Sequence, residues 1–210
     1  MRPGFAFTMI FVTVFLTRAV GQQADSARLQ AYIDVALAGA KSLRANNWKM
    51  SVQDVQVETA PVNRTFDIQW NNKNELKGKE ITTGNKALPE GTTDWVLVLV
   101  DYILGYIAPP ESKLVSFYKN AHIEPDAGVL MELSGSNFIR ADDKVTIDID
   151  RNIFIVRRLT FTSLLEDDDL MGTIEYEVDN NAFKYPAKIR VDVPAKRLRL
   201  TFVNENFVAR

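Results

Sequence analysis

The C-terminal half of the chain alternates apolar and polar residues in runs with the period of a β-strand. From residue 128 onward, these runs are separated by short polar stretches: Arg151-Asn152, Asp167–Asp169 and Asn180-Asn181. The alternation is typical of strands with one buried face, and the polar stretches are typical of hairpin turns. We therefore predict an antiparallel meander whose apolar face is covered by helices.

A helix pattern and shorter strand patterns precede this region. Residues 25–45 carry apolar side chains at spacings of three and four, which predicts an amphipathic helix. Residues 50–57 and 64–70 alternate like strands, and residues 75–82 form a short, polar third strand. Residues 83–92 contain glycines and a proline, which predicts a loop.

The most apolar stretch after the N-terminal segment is Trp95–Ala108. Its run of valines and leucines favours a buried strand by composition. However, the stretch is longer than a usual strand, and Thr92 or Thr93 is a suitable N-cap, so we predict a helix. A further helix is predicted over Glu111–Ala121. Because the first helix is apolar on nearly all sides, it must be enclosed by other elements or lie across an apolar cavity; it is shorter than the roughly 20 residues of a membrane span.

Together these elements predict the α+β class: a curved antiparallel sheet of about 8 strands, with an N-terminal helix and two central helices covering its apolar face. The first residues form a separate unit. Arg2, the apolar run Phe5–Leu16 and the small residues after it have the layout of a secretory signal. We predict a signal peptide over residues 1–21 and a single domain over residues 22–210. Arg18 leaves an uncleaved anchor as the alternative.

Composition excludes several classes of protein. The chain has no cysteine, which excludes disulfides, thiolate metal sites and a cysteine-linked lipid. The net charge is −2 and both signs are interspersed, so nucleic acid is not an expected partner. We predict an exported bacterial protein, periplasmic or extracellular, with no membrane span in the mature chain. No feature of the sequence indicates an oligomeric state.

No catalytic or metal-binding motif stands out. His122 is the one histidine, and a surface or capping role is favoured because zinc sites require several nitrogen or sulfur ligands. There is no Gly-x-Ser-x-Gly elbow. The acidic residues of Glu166–Asp169 and Asp142–Asp150 lack the spacing of a calcium loop and are more simply explained as solvated turns and strand faces. We predict a protein that is not an enzyme and uses no cofactor or metal.

Two charged positions lie in apolar surroundings. Arg157 and Arg158 are in the middle of a strand, so strict alternation places them on opposite faces of the sheet. If Arg157 points inward, it requires an acidic partner or an anionic ligand group, because an unpaired buried charge is costly. Asp101, inside the apolar helix, is the hypothetical partner. An arginine at the edge or rim of the sheet is the alternative.

Several C-terminal segments resemble a family of uncharacterised exported bacterial proteins of about this length. The resemblance covers residues 24–208 and rests on Ile107–Pro110, Asn137-Phe138, Asp143–Asp150, Thr162–Asp168, Tyr185–Lys188 and Asn204–Phe207. It implies no activity, because none is assigned to that family. The layout of elements is also distantly similar to the periplasmic lipoprotein carrier fold, which holds acyl chains between sheet and helices; this is a fold-level analogy.

The leading functional hypothesis is a non-enzymatic carrier or binder of an apolar ligand, such as a lipid, an acyl chain or a lipidated protein. The large apolar surface that few helices must cover motivates it. The candidate ligand-binding residues are Trp95, Leu99, Tyr102, Arg157 and Phe161. The alternative is a structural or protein-interaction module of the cell envelope that uses the polar strand face or an exposed sheet edge. A third hypothesis is an enzyme whose carboxylates converge in a cleft.

Overall fold

A computed structural model describes residues 30–38, 41, 46–55, 64–70, 73, 75–82, 92–124, 128–153, 155–178 and 184–209. Within these ranges the chain forms three α-helices, one short 3-10 helix and ten strands. The helices are α1 (30–38), α2 (Thr92–Ile107), α3 (Glu111–Asn120) and the 3-10 helix Pro194–Lys196. The strands are β1 (Asn46–Val55), β2 (Arg64–Trp70), β3 (Leu76–Thr82), β4 (His122–Glu124), β5 (Leu130–Ser136), β6 (Lys144–Asp150), β7 (Ile155–Leu165), β8 (Asp168–Val178), β9 (Lys184–Val193) and β10 (Leu198–Ala209).

The strands form one antiparallel sheet in the order β3-β2-β1-β10-β9-β8-β7-β6-β5-β4. The predicted α+β class and the predicted C-terminal meander are confirmed, since each strand from β4 to β9 pairs with the next strand in the chain. The N-terminal strands join this meander through β1, which pairs with β10. The described sheet has ten strands rather than about eight. The segment predicted as a signal peptide lies outside the described residues.

The ambiguous apolar stretch is a helix, as predicted. α2 is followed by Pro109-Pro110, and Ala108 closes its last turn by donating its backbone N–H to the carbonyl of Leu104 at 3.1 Å. Val98 is the one exposed side chain among those described on α2, at 47%. A run that alternates valine and leucine can form this helix because packing partners surround it, and tertiary burial outweighs the modest helix penalty of valine.

The sheet curls around α2. Neighbouring helix residues contact strands that are far apart in the sheet: Asp101 lies 3.1 Å from Lys77 of β3, and Tyr102 donates to the carbonyl of Leu164 of β7 at 2.8 Å. In the strand order, β3 and β7 are six steps apart. In a flat sheet, steps of about 4.8 Å would separate them by about 29 Å. Only a strongly curved sheet allows both contacts, in agreement with the predicted curvature.

Arg157 and Arg158 lie together on the sheet face opposite α2, which we call the polar face. The prediction that they face opposite sides is wrong. Asp148 pairs with Arg158 while Ile149 pairs with Val156, so Arg157 is the extra residue of a β-bulge. The bulge interrupts the alternation and turns both arginines outward.

The proposed pairing of Asp101 with Arg157 is also wrong. Asp101 contacts Lys77 and accepts the backbone N–H of Gly78 at 3.3 Å. Arg157 instead donates to Asp150 at 3.2 Å, and its side chain is 42% exposed. The Asp101 carboxylate therefore links α2 to strand β3, and Arg157 is held by Asp150 on the polar face.

A row of alternating charges crosses the polar face. Cross-strand neighbours place Asp148 beside Arg158, Arg158 beside Glu175, and Glu175 beside Lys188. Opposite charges on directly facing strand positions stabilise the pairing modestly. This row runs across β6, β7, β8 and β9 and helps to fix their register.

The hairpin between β7 and β8 turns at Glu166-Asp167, and Asp168 already belongs to β8. The turn was predicted at Asp167–Asp169. Glu166 adopts a left-handed conformation with φ 57°, which allows the tight turn one residue earlier. Among the described residues, each helix is too short or too polar to cross a bilayer.

Candidate functional site

Three of the five candidate ligand-binding residues lie inside the curved sheet. Leu99 and Tyr102 are buried on α2, and Phe161 is buried on β7. Position 95 belongs to α2, but the Trp95 side chain is not among those described. Arg157 is on the polar face and takes no part in this interior. The structure thus brings together the apolar candidates and separates the charged one.

The interior around Phe161 is closely packed. Its ring stacks on that of Tyr106, with centroids 3.9 Å apart and planes inclined by 7°. The Phe161 ring also lies against Gly172 on β8, where an added Cβ atom would be 2.2 Å from the ring. Helix, ring and strand backbone are therefore in direct contact.

A buried carboxylate holds the loop between β5 and β6. Oδ1 of Asp143 accepts the backbone N–H of Phe138 at 2.6 Å; Oδ2 accepts those of Ile139 at 2.9 Å and Arg140 at 3.0 Å. The hydroxyl of Tyr106 donates to Oδ2 at 3.1 Å. Burial, more than any charge nearby, raises the pKa of Tyr106 above its ordinary range, so the phenol keeps the proton that it donates. Asp143 therefore ties α2 to the loop.

Tyr102, one turn before Tyr106 on α2, makes hydrogen bonds to strand β7. Its hydroxyl oxygen lies 2.5 Å from Oγ of Ser163 and donates to the carbonyl of Leu164. The guanidinium of Arg140 lies over the Tyr102 ring, 4.2 Å from its centroid, in a cation–π contact. These contacts give Tyr102 a structural role in seating the helix. Sequence reasoning missed Tyr106 and Asp143, for which no local motif exists.

A cleft of mixed polar and apolar lining opens at the β4 edge of the sheet, beside the end of α3. We call it the edge cleft; its volume is about 790 Å³. Its lining comes from the C-terminal part of α3 and from strands β4, β5 and β6, with the residues that directly follow α3 and β5. The lining residues are Ser116, Phe117, Asn120, Ala121, His122, Ser134, Gly135, Ser136, Asn137, Lys144, Val145 and Thr146. Six of these twelve residues carry a hydroxyl or amide side chain.

The closeness of α3 to β5 shapes the edge cleft. The Phe117 ring lies directly over Gly135, where a Cβ atom would come within 2.8 Å of it. Asn120 donates its side-chain amide to the carbonyl of Ser116 at 2.8 Å and so caps the end of the helix. The wall formed by α3 is therefore packed against β5, and its C-terminal end is capped from within the helix.

The permanent charge in the lining of the edge cleft is that of Lys144, which is exposed. His122 does not add to it, because the Glu124 carboxylate lies 3.6 Å from its Nε2 atom. No aspartate or glutamate is among the residues that line the cleft. The local electrostatics favour an anionic group over a cationic one.

Strand β5 extends past the end of β4 in this cleft. β4 pairs with β5 only from Glu132 to Ser134, whereas β5 pairs with β6 as far as Ser136. The N–H of Asn137 points to the β6 side, where it donates to the carbonyl of Asp143 at 3.0 Å. Because backbone groups alternate in direction along a strand, the N–H and C=O of Ser136 point into the edge cleft. No described strand pairs with them there.

The other described titratable groups do not form a metal site or an acid–base centre. Within the described ranges, no group of three or more histidine or acidic side chains is placed to hold a metal ion. Burial raises the pKa of Tyr118 and of Tyr176 above the ordinary range, so both phenols remain neutral parts of the core. The sequence located His122 at the end of a helix but did not reveal the short strand that it begins, because β4 has only three residues.

Comparison with known proteins found a match to a solved structure. No protein-family model matches the chain, and no curated protein matches it. The solved structure is a DUF1329 family protein from Desulfovibrio piger, with 8% sequence identity and a TM-score of 0.42. The alignment covers 86% of this chain and 92% of that one.

Proposed function

We propose that this protein is a non-enzymatic interaction module whose edge cleft binds an extended, acidic segment of a partner protein. One observation carries the proposal: Ser136 presents an unpaired strand backbone inside a cleft whose lining includes Lys144 and no aspartate or glutamate. Addition of a strand to an open sheet edge is a recurrent mode of peptide recognition. Main-chain hydrogen bonds would supply affinity there, and side chains would supply selectivity.

The charges of the cleft favour an acidic partner. Lys144 pairs across the strands with Ser136 and lines the same cleft, so its long side chain is within reach of a segment bound at the open backbone. A carboxylate two positions along an added strand would be on the same face as this lysine. The hydroxyls of Ser134 and Thr146, also in the lining, can hydrogen-bond to the same segment.

Peptide binding by charge-reversed variants tests the proposal. The probe is a short synthetic peptide that alternates aspartate and valine, compared with its lysine–valine counterpart, and affinity is measured by calorimetry at low salt. Lys144→Glu should weaken binding of the acidic peptide by about tenfold or more. Lys113→Glu makes the same charge change on the exposed surface of α3, outside the cleft lining, and should leave affinity within about twofold.

A second variant separates the backbone contribution from charge. Ser136→Pro removes the N–H that faces the cleft without removing a hydrogen bond of the sheet, as proline permits on an edge strand. It should also weaken binding. Equal affinity for both peptides, or equal effects of Lys144→Glu and Lys113→Glu, would contradict the proposal.

Binding of an apolar ligand is the second candidate function. The observation that favours it is the position of α2. This apolar helix is enclosed by the curved sheet in the way that an acyl chain would be enclosed. A lipid would have to enter where Tyr106 stacks on Phe161, so α2 would have to move. Native mass spectrometry of the purified protein distinguishes the candidates. Co-purified acyl compounds would favour the apolar ligand, and a lipid-free protein that binds the acidic peptide would favour the edge cleft.

We also propose that the chain is exported to a bacterial envelope compartment or secreted. The support is the signal-like pattern of residues 1–21. Expression in a bacterium, followed by fractionation and intact-mass measurement, tests this. A mature chain that begins near residue 22 outside the cytoplasm is expected, and an uncleaved cytoplasmic chain would contradict it.

A further inference from the structure

Strand β4 covers part of the sheet edge beside the edge cleft, and it is held there by few contacts. It has three residues, His122–Glu124, and Pro125 follows them in the sequence. Because proline has no backbone N–H, it cannot donate to a neighbouring strand, which limits any extension of β4 in that direction. Within β4, Ile123 packs against the core and its two neighbours are exposed. β4 is therefore a short strand with a single apolar anchor.

The backbone of β5 offers this edge more hydrogen-bonding groups than β4 uses. The N–H of Asn137 points to β6, and the β5–β6 register has no shift. Alternation therefore directs the backbone N–H and C=O groups of four residues toward the edge: Leu130, Glu132, Ser134 and Ser136. β4 pairs with two of these four, Ser134 and Glu132. A strand that replaced β4 and paired along all of β5 would make about twice as many hydrogen bonds.

The charges on the polar face of this edge oppose the pairing of β4. Glu124 directly faces Glu132, and Glu132 in turn faces Asp148, which Arg158 contacts at 2.6 Å. Like charges on directly facing strand positions are destabilising. His122 lies 3.6 Å from Glu124 but belongs to β4 itself, so this contact does not link β4 to β5. A strand with a basic side chain in the place of Glu124 would be attracted to Glu132 instead.

We propose that the partner segment displaces β4 and pairs antiparallel with the whole of β5, an inference that rests on the proposed function. The edge then selects a specific order of side chains, numbered here from the N-terminus of the segment. Position 1 lies opposite Ser136 and within reach of Lys144, which favours an acidic residue. Position 4 lies opposite Leu133 and takes the place of Ile123, which favours an apolar residue. Position 5 lies opposite Glu132, which favours a basic residue.

Two blocked peptides of identical composition test the order of charges: Asp-Val-Thr-Val-Lys-Val, the forward peptide, and Lys-Val-Thr-Val-Asp-Val, the swapped peptide. Calorimetry with the full chain at low salt should show about tenfold tighter binding of the forward peptide. Glu132→Gln should reduce this ratio by about threefold, whereas Glu175→Gln, a matched change on β8 at an exposed position of the same face, should leave it unchanged. Equal binding of the two peptides would overturn the inference, even where the alternating aspartate–valine peptide binds as the proposed function requires.

A stabilised β4 provides the matching variant of the protein. Glu124→Lys places opposite charges across the pairing with Glu132, so the unfolding temperature should stay the same or rise. Affinity for the forward peptide should fall about threefold, because β4 then competes better for β5. An unchanged or higher affinity of Glu124→Lys would overturn the displacement.

Hydrogen exchange with the forward peptide bound shows directly whether β4 leaves. The backbone amides of His122 and Glu124 should exchange about tenfold faster or more, and those of Leu130 and Ser136 should become protected. Protection of Ser136 alone, with β4 unchanged, would overturn the displacement and leave the proposed function intact. Failure of both the forward and the alternating aspartate–valine peptide to protect Ser136 would contradict the proposed function itself.

Discussion

Arg157 donates a hydrogen bond from Nη2 to Oδ2 of Asp150 across 3.2 Å on the polar face of the sheet. The contact exists because a β-bulge turns Arg157 outward beside the end of β6. Asp150 also accepts the backbone N–H of Asn152 at 3.0 Å, which closes the turn before β7. The carboxylate thereby links the bulge to the neighbouring turn.

The first prediction concerns the pH dependence of folding. The backbone N–H of Asn152, with a further contribution from Arg157, holds the pKa of Asp150 below its usual range. A lowered folded-state pKa means that ionised Asp150 stabilises the fold above the unfolded-state pKa of about 4. This stabilisation is lost as the pH falls through the lower, folded-state value. Asp150→Asn should therefore be less stable than wild type at neutral pH, and the difference should shrink under acid.

Urea unfolding from pH 7 down to the acid limit of the folded protein measures this difference. Asp169→Asn, at an exposed position near the start of β8, makes the same chemical change outside the turn. A gap between wild type and Asp150→Asn that stays constant through the acid range would show that the carboxylate charge is not the source of its effect.

The second prediction concerns the ring that covers Gly172. Gly172→Ala should lower stability by about 2 kcal/mol, because its Cβ would overlap the Phe161 ring in a packed interior. Gly105→Ala is the matched control on α2, where the nearest atom, on Ile139, is 3.6 Å from the added Cβ. That variant should gain up to about 1 kcal/mol from improved helix propensity.

Denaturant unfolding of both variants gives these free energies. Phe161→Leu in the Gly172→Ala background should recover part of the loss, since a smaller side chain leaves room for the methyl group. Equal stability of the two glycine variants would contradict the described position of the ring.

The third prediction concerns the carboxylate that holds the loop between β5 and β6. Asp143→Asn replaces one acceptor oxygen with an NH2 group. This group cannot accept the backbone N–H groups that face it, so the variant should lose about 3 kcal/mol of stability. Asp142→Asn is the control: this neighbour is exposed, and asparagine tolerates its φ of 62°. The control should stay within about 0.5 kcal/mol of wild type.

Hydrogen exchange at the backbone amides of Phe138 and Ile139 reports directly on this anchor. Their exchange should accelerate strongly in Asp143→Asn and remain slow in Asp142→Asn. Unchanged protection in Asp143→Asn would mean that the loop is held by other contacts.

Local sequence patterns predicted most of the elements but not the candidate sites. Alternation predicts the bounds of β2, and Pro109-Pro110 predicts the start of α3. Both signals act between residues that are close in the chain. Arg157 was misplaced because a bulge inserts one residue whose effect depends on the partner strand. The edge cleft was missed because it requires α3, β4, β5 and β6 to be in position at once.

What the sequence determined by itself was the class of the fold: alternating strands, three helical segments and a meander, each specified by the period of its apolar side chains. The tertiary structure alone decided that β1 joins β10, that the sheet curls around α2, and that Ser136 extends past the end of β4 with no described strand beside it. These features depend on contacts between residues far apart in the chain. Their free energy comes from burial and hydrogen bonding between elements, which no local pattern encodes.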